Sequence, residues 1–363
     1  MNKKIIIAGG GTGGHIFPAI AVANAIKKLA PQTEILFVGA VGKMEMEKVP
    51  QAGYRIQGIH IAGFNRSALL KNIGLPFKLI KSFFEVSNIL RQFKPDAVFG
   101  VGGYSSYPVL RLAQARGVAT YLHESNAFAG KSNILLGKKA KKVFVAARGM
   151  EKFFTPDKIL VTGNPVRESI ANMPASSAEA RTHFQLQAGK PTLFVMGGSL
   201  GAKSINEAIL AGLPAFRAAG VQMIWQTGKT FLPEARRATL GHSGIWVGDF
   251  IADMASAYAA ADLVVSRSGA MSVSELCFAG KPVIFVPYPY AAEDHQTANA
   301  MALVNQKAAL LIGNNEAATT LIPTALQVLA DDTLCQSLAS NIKQMATPHA
   351  DITIAKFILQ HTA

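Results

Sequence analysis

Lys4-Ile5-Ile6-Ile7-Ala8-Gly9-Gly10-Gly11-Thr12-Gly13-Gly14-His15 is a short apolar run that breaks into a glycine-rich turn. That is the pattern of a buried strand delivered into the start of a helix. Glycine is required where backbone approaches a ligand closely or takes positive φ. A strand-to-helix turn of this kind aims N–H groups at an anion. The shape recurs twice. Ala97-Val98-Phe99 runs into Gly100-Val101-Gly102-Gly103-Tyr104, and Thr192-Leu193-Phe194-Val195-Met196 runs into Gly197-Gly198-Ser199-Leu200-Gly201-Ala202. Two such loops in the first half and one opening the second predict an α/β chain of two Rossmann-like domains facing each other across a cleft.

Outward from these loops, strand-like runs alternate with helical patterns, which argues a parallel, doubly wound sheet in each half. Expected strands are 4–8, 34–38, 97–99, 119–123, 142–145 and 159–162, then 192–196, 222–226, 245–247, 263–266 and 283–286. Expected helices of the first half are 17–29, 77–92 and one near 107–116. The segment Asn164–Lys190, rich in Pro, Ala and Ser, reads as a linker. Ile352–Gln360 is apolar at helical spacing and is expected to pack back on the first domain. The domain boundaries that follow are 1–163, with a terminal helix at about 345–363, and 164–344.

A chain of 363 residues that is 50% apolar can bury two ordinary cores. Cys277 and Cys335 are isolated, with neither metal nor disulfide spacing, and read as buried packing residues of a reducing compartment. The N-terminal apolar run is too short for a signal peptide, and no stretch nears the ~18 apolar residues of a membrane span. The expectation is a soluble or peripheral protein. Charge is uneven: residues 1–163 carry 23 Lys and Arg against 8 Asp and Glu, net +15, while 164–363 carry 13 against 14, net −1. An anionic lipid or substrate suits that asymmetry. Nucleic acid does not fit, since neither zinc-finger spacing nor an aromatic RNP-type strand is present.

Two familiar motifs fail on inspection. Gly9-x-Gly11-x-x-Gly14 satisfies the dinucleotide fingerprint, but the second strand ends in Val38-Gly39-Ala40 without the ribose-binding carboxylate. Gly197–Ser204 approaches a P-loop, but Ala202 stands where glycine precedes the lysine. A nucleotide-sugar enzyme is the better candidate.

Six stretches together resemble the MurG family, in that family's order and across nearly the whole chain. They are Gly10–Pro18, Gly100–Tyr104, His123–Asn126, Gly163–Arg167, Gly197–Ala202 and Arg267–Glu275. The resemblance implies a GT-B glycosyltransferase that moves GlcNAc from UDP-GlcNAc to the MurNAc 4-OH of lipid I (undecaprenyl-pyrophosphoryl-MurNAc-pentapeptide), with inversion, giving lipid II for peptidoglycan. It implies a peripheral enzyme on the cytoplasmic face of the bacterial inner membrane, serving cell-wall biogenesis beside other assembly proteins. No cofactor is implied. No Asp-x-Asp-type pair ends a donor-side strand, so metal-independent transfer is expected.

For the donor, the resemblance places Glu275 on the ribose hydroxyls, with Ala270, Met271, Ser272, Val273 and Ser274 of the same helix near sugar and phosphates. Gln296 falls to the GlcNAc hydroxyls, Ile251 to the uracil edge, and Asn126, Arg167 and Ser199 to the donor as well. His295 stands where some relatives carry a second glutamine. Thr12, Gly13 and Gly14 are carried over as donor contacts that also line the acceptor pyrophosphate, joined there by Gly102, Gly103 and Tyr104. His15, following the first glycine loop at a helix N-terminus, is the expected general base, and Glu124 the rival or orienting group. Leu69, Leu70, Ile73 and Leu75, interleaved with Lys71 and Lys78, suit an interfacial segment on anionic lipid. The following helix, taken alone, reads as a core helix with lysines on its solvated face. The alternatives are a diacylglycerol glycosyltransferase or a UDP-GlcNAc epimerase of the same fold, and a non-catalytic membrane-associated UDP-sugar-binding protein.

Overall fold

The computed structural model describes residues 2–63, 74–173, 177–198 and 200–362. Two units emerge, one formed by Met1–Arg167 with Thr347–Ala363 and the other by Glu168–Ala346.

The first unit is built on strands β1 (Lys4–Ala8), β2 (Glu34–Ala40), β3 (Arg55–Ile59), β4 (Ala97–Gly100), β5 (Ala119–Glu124), β6 (Lys142–Val145) and β7 (Ile159–Val161). They pair in parallel in the order β3-β2-β1-β4-β5-β6-β7. Its helices are α1 (Gly13–Leu29), α2 (Glu45–Gln51), α3 (Leu75–Phe93), α4 (Ser106–Ala115) and α5 (Lys131–Gly137). The central strands are apolar throughout because helices cover both faces. Ile5 and Ile7 face one buried cluster, Ile6 and Ala8 another. The short elements β3, α2 and α5 escaped the sequence reading.

The second unit opens with α6 (Glu168–Ala171) and α7 (Ser177–His183), then β8 (Thr192–Met196), α8 (Lys203–Ala218), β9 (Gln222–Gln226), α9 (Leu232–Thr239) and β10 (Ile245–Gly248). There follow α10 (Met254–Ala260), β11 (Leu263–Ser266), α11 (Ala270–Ala279), β12 (Val283–Phe285), α12 (His295–Val304), β13 (Leu310–Leu311), α13 (Ala317–Ala330) and α14 (Asp332–Gln344). The sheet order is β10-β9-β8-β11-β12-β13, all parallel. The expected linker is thus partly helical and packed. One guanidinium nitrogen of Arg181, on α7, donates to both carboxylate oxygens of Asp262, at 2.9 and 2.8 Å. Cys277 is buried as expected, but Cys335 is only half-buried, with its thiol on the Val328 carbonyl at 3.1 Å.

The last helix, α15 (Ala350–His361), returns to the first unit and lies on α1. Its Ile354, Ala355 and Ile358 enter the cluster that holds Ile5, Phe99 and Phe144. The Tyr121 hydroxyl donates to the His361 carbonyl at 2.9 Å, and Lys3 donates to Leu359 at 2.9 Å. Truncating the fully buried Ile358 to alanine is expected to destabilise by about 2–5 kcal/mol, measured by urea denaturation of the full chain.

Candidate active site

In a doubly wound sheet, ligands bind beyond the carboxyl ends of the strands where strand order reverses. In the first unit the reversal falls between β1 and β4, and in the second between β8 and β11. The glycine loops Gly9–Gly14 and Val101–Gly103 leave the first pair, and Gly197–Ala202 and Arg267–Gly269 leave the second. Every motif of the sequence reading that ends one of these strands lands at such a switch point.

In the first unit the two glycine loops interlock. A Cβ on Gly103 would stand 2.5 Å from the Gly10 carbonyl oxygen, and one on Gly11 would touch the Tyr104 ring at 3.4 Å. Gly103 has φ +79°, which only glycine adopts freely, so the contact is specific to that residue. His15 occupies the first turn of α1, half-buried, with Nδ1 3.2 Å from the Thr12 hydroxyl. Its Nε2 faces the second loop, where a Cβ on Gly102 would come within 3.0 Å. Gly13 and Gly14 begin the helix, so their amides have no intrahelical carbonyl to bond. The phenol of Tyr104 is pushed up by burial and then by the charge of Glu45.

Glu124 ends β5 and is buried. One oxygen accepts from Asn126 N and Nδ2, at 3.1 and 3.2 Å, and the other from Gly130 N and Asn133 Nδ2, at 3.0 and 2.8 Å. Four donors on one carboxylate describe a brace for the loop after β5, which fits orienting better than proton abstraction. The preceding His123 is fully buried, with Nε2 3.3 Å from the Gly163 carbonyl and Nδ1 3.3 Å from the Ser125 hydroxyl. Burial pushes its pKa down to about 4. Arg167 lies over the Phe17 ring of α1, 4.8 Å from its centroid.

The second unit holds a cavity of about 770 Å³ lined by its glycine loop, Lys203 and Ser204 of α8, Arg267, Gly269, Ser272, Tyr288, Tyr290, Gln296 and Asn314. Of the sequence-derived donor residues, Ser272 and Gln296 line it. Ala270, Met271, Val273, Ser274 and Glu275 share α11 with Ser272 but do not border the cavity, nor does the buried Ile251. Ser199 lies outside the described residues. Glu275 is buried and accepts from the Tyr258 hydroxyl at 3.2 Å. Gln296 accepts from Tyr288 N at 3.0 Å, and so holds the loop after β12.

Arg267 is the main cavity-lining group that residue reading missed, although it opens a motif quoted above. Only 8% exposed, it donates to the Val286 and Pro287 carbonyls at 2.9 and 2.8 Å, to Asn314 at 2.9 Å and to Ser204 at 3.2 Å. Burial lowers its pKa to about 10, so the guanidinium stays cationic at neutral pH. The cavity thus combines a fixed cation with the first turns of α8 and α11, an arrangement suited to a diphosphate. Among the described residues no cluster of His, Cys, Asp or Glu could hold a metal ion.

Comparison with known proteins decides the family. Residues 5–145 match the glycosyltransferase family 28 N-terminal domain and 192–353 its C-terminal domain. A relative in Phocaeicola vulgatus is 50% identical over 99% of this chain and 96% of its own length. One in Cytophaga hutchinsonii is 49% identical over 98% and 96%. Both are named UDP-N-acetylglucosamine--N-acetylmuramyl-(pentapeptide) pyrophosphoryl-undecaprenol N-acetylglucosamine transferase. The crystal structure of Acinetobacter baumannii MurG superposes with a TM-score of 0.76, at 31% identity and 99% coverage of both chains.

The chain belongs to the MurG family. Its fold is GT-B, and it is a glycosyltransferase. A UDP-GlcNAc 2-epimerase from Neisseria meningitidis, bound to UDP-GlcNAc, has a TM-score of 0.70 at 12% identity and covers 99% of this chain and all of its own. That likeness carries the fold alone.

Because the folded His123 binds its proton less readily than the usual value of 6.5, protonation favours the unfolded chain. Its contribution is full above about 6.5 and is lost as pH falls toward 4. Stability is expected to drop by about 3 kcal/mol through that window. Urea midpoints across pH should show the drop, and a His123→Gln variant should lose it.

Proposed function

We propose that this chain transfers GlcNAc from UDP-GlcNAc to the MurNAc 4-OH of lipid I with inversion, forming lipid II. The observation that carries the reading is identity near 50%, over almost the full length, to relatives named for that transfer. The first unit supplies the acceptor groups. The amides of Gly13 and Gly14 meet the lipid pyrophosphate, with Thr12, Gly102, Gly103 and Tyr104 around it. The second unit holds the donor through its glycine loop, α11 and Gln296, with Glu275 on the ribose.

The chemistry asks little of the protein beyond placement and charge. In the tautomer whose Nδ1–H donates to the Thr12 hydroxyl, the His15 Nε2 carries the lone pair. It takes the 4-OH proton as that oxygen bonds to C1 of GlcNAc from the face opposite the diphosphate. The C1–O bond breaks and its electron pair leaves with UDP. Arg267, Lys203 and the helix N-termini offset the growing charge on the leaving diphosphate. His15→Ala should lower turnover with a soluble lipid I analogue by about 10²–10⁴-fold and leave UDP-GlcNAc affinity unchanged by calorimetry. Retained turnover would remove His15 as base.

The acceptor's membrane location finds support in α3. Among the described residues no helix is long and apolar enough to cross a membrane. The core-helix reading fails for the first half of α3. Phe77, Ile80 and Phe84 are 76%, 56% and 70% exposed, beside exposed Lys78 and Lys81, while Ser82, Val86, Ile89 and Leu90 face inward. Of the residues expected to touch lipid, Leu75 is half-buried and Lys78 exposed, while Leu69, Leu70, Lys71 and Ile73 lie outside the described residues. Aromatic and aliphatic groups flanked by lysines suit an anionic bilayer interface. The triple change Phe77→Ser, Ile80→Ser, Phe84→Ser should weaken binding to phosphatidylglycerol vesicles at least about tenfold with UDP-GlcNAc affinity intact. Unchanged vesicle binding would strike α3 from the interface.

A further inference from the structure

Glu45 is a buried carboxylate that the proposed chemistry does not use. It is the first residue of α2 and only 1% exposed. Its oxygens accept from two backbone amides of different elements. Oε2 takes the Gly11 N–H, in the loop after β1, at 2.9 Å, and Oε1 takes the Ala40 N–H, at the end of β2, also at 2.9 Å. Burying an anion is costly unless donors converge on it, and here one donor is the loop that leads to His15.

The fit around it is steric as well as polar. A Cβ on Gly10 would lie 2.2 Å from the Glu45 Oε1, and a Cβ on Gly39 would lie 2.5 Å from its Cγ. The same peptide also packs against the second glycine loop, where a Cβ on Gly103 would stand 2.5 Å from the Gly10 carbonyl oxygen and one on Gly11 would lie 3.4 Å from the Tyr104 ring. The segment Gly10–Gly11 is therefore packed against both the Glu45 carboxylate and the second glycine loop. The Gly11 amide is committed to that carboxylate and cannot serve an acceptor phosphate. Anion binding in this loop then falls to the first amides of α1, at Gly13 and Gly14, and His15 follows directly on the same turn.

We propose that Glu45 is a positioning residue for the acceptor side of the reaction. It fixes the first glycine loop so that the Gly13 and Gly14 amides and the His15 imidazole stand where the acceptor pyrophosphate and the 4-OH must lie. The inference rests on the transferase reading with His15 as base. It also explains why a carboxylate is required rather than an isosteric amide. Two N–H groups converge on the side chain, and a glutamine would keep an acceptor oxygen for one of them but turn its own NH2 toward the other, leaving that N–H and the facing NH2 unpaired.

The test compares wild type with Glu45→Gln, and with Gly39→Ala, which displaces the Glu45 side chain without touching the glycine loop. Acceptor turnover (kcat with a soluble lipid I analogue) should fall about 10–100-fold in both, the scale expected of small misplacement. KM for UDP-GlcNAc should stay within about twofold, a split that general destabilisation would not produce. Hydrogen exchange, read by NMR, should speed up at least about tenfold in Glu45→Gln at the Gly11 or the Ala40 amide, whichever faces the glutamine NH2 and so loses its acceptor. Wild-type turnover in a folded Glu45→Gln protein would overturn the proposal, as would equal loss on both substrates. If wild type itself transfers nothing to the analogue, the functional reading fails separately. The clamp is then judged by exchange at the Gly11 and Ala40 amides, and unchanged exchange at both overturns it.

Discussion

The close passage of two backbone segments at one point of each sheet governs the candidate site. Where strand order reverses, the chains leaving two neighbouring strands turn to opposite faces, and a crevice opens at their carboxyl ends. In the first unit Gly103 and Gly10 touch across that crevice with no room for a side chain on Gly103. In the second, a Cβ on Gly201 would stand 2.0 Å from the Thr227 carbonyl oxygen, so its loop is pressed against the end of β9. Gly103 keeps the first switch point narrow and lines it with amides instead of side chains, while the Gly201 contact holds the loop after β8 against β9, on the side away from the β8–β11 switch point. The catalytic candidate and the donor cavity are consequences of that packing.

Charge is arranged on the same frame. The cavity of the second unit has a buried cation, Arg267, whose donors are held by four protein acceptors and which is therefore fixed in place beside any anion bound there. Such preorganised charge stabilises a leaving group without reorganisation at the moment of reaction. In the first unit two buried carboxylates, Glu45 and Glu124, are each taken up by backbone or amide donors of nearby loops. The basic excess of residues 1–163 lies largely on the exposed surface of that unit, where it favours an anionic membrane without filling the crevice with fixed cations.

How much of this was legible in the sequence depended on the range of the interaction. Strands β1, β4 and β8 could be read because buried parallel strands are continuous apolar runs, and the glycine loops because positive φ and close approach restrict residue choice locally. The edge strand β3, Arg-Ile-Gln-Gly-Ile, mixes polar and apolar residues and is half-exposed, so it lacked that signature. Helix α2 is seven residues long with a proline inside it, and the 164–190 segment looked like a linker for similar reasons of composition. Glu45 was unreadable because its partners lie 34 and 5 positions back in the chain, and nothing local marks it as buried. Arg267 and Phe77 were visible as residues, but whether they face inward or outward is set by tertiary packing.

The most direct test of the account is mass spectrometry of the products after the protein meets UDP-GlcNAc and a soluble lipid I analogue in the presence of EDTA, with diacylglycerol in a parallel tube. The account predicts one added N-acetylhexosamine on the lipid I analogue, β-linked, and unmodified diacylglycerol. Transfer to diacylglycerol alone, epimerised sugar nucleotide, or loss of transfer on chelation would contradict it.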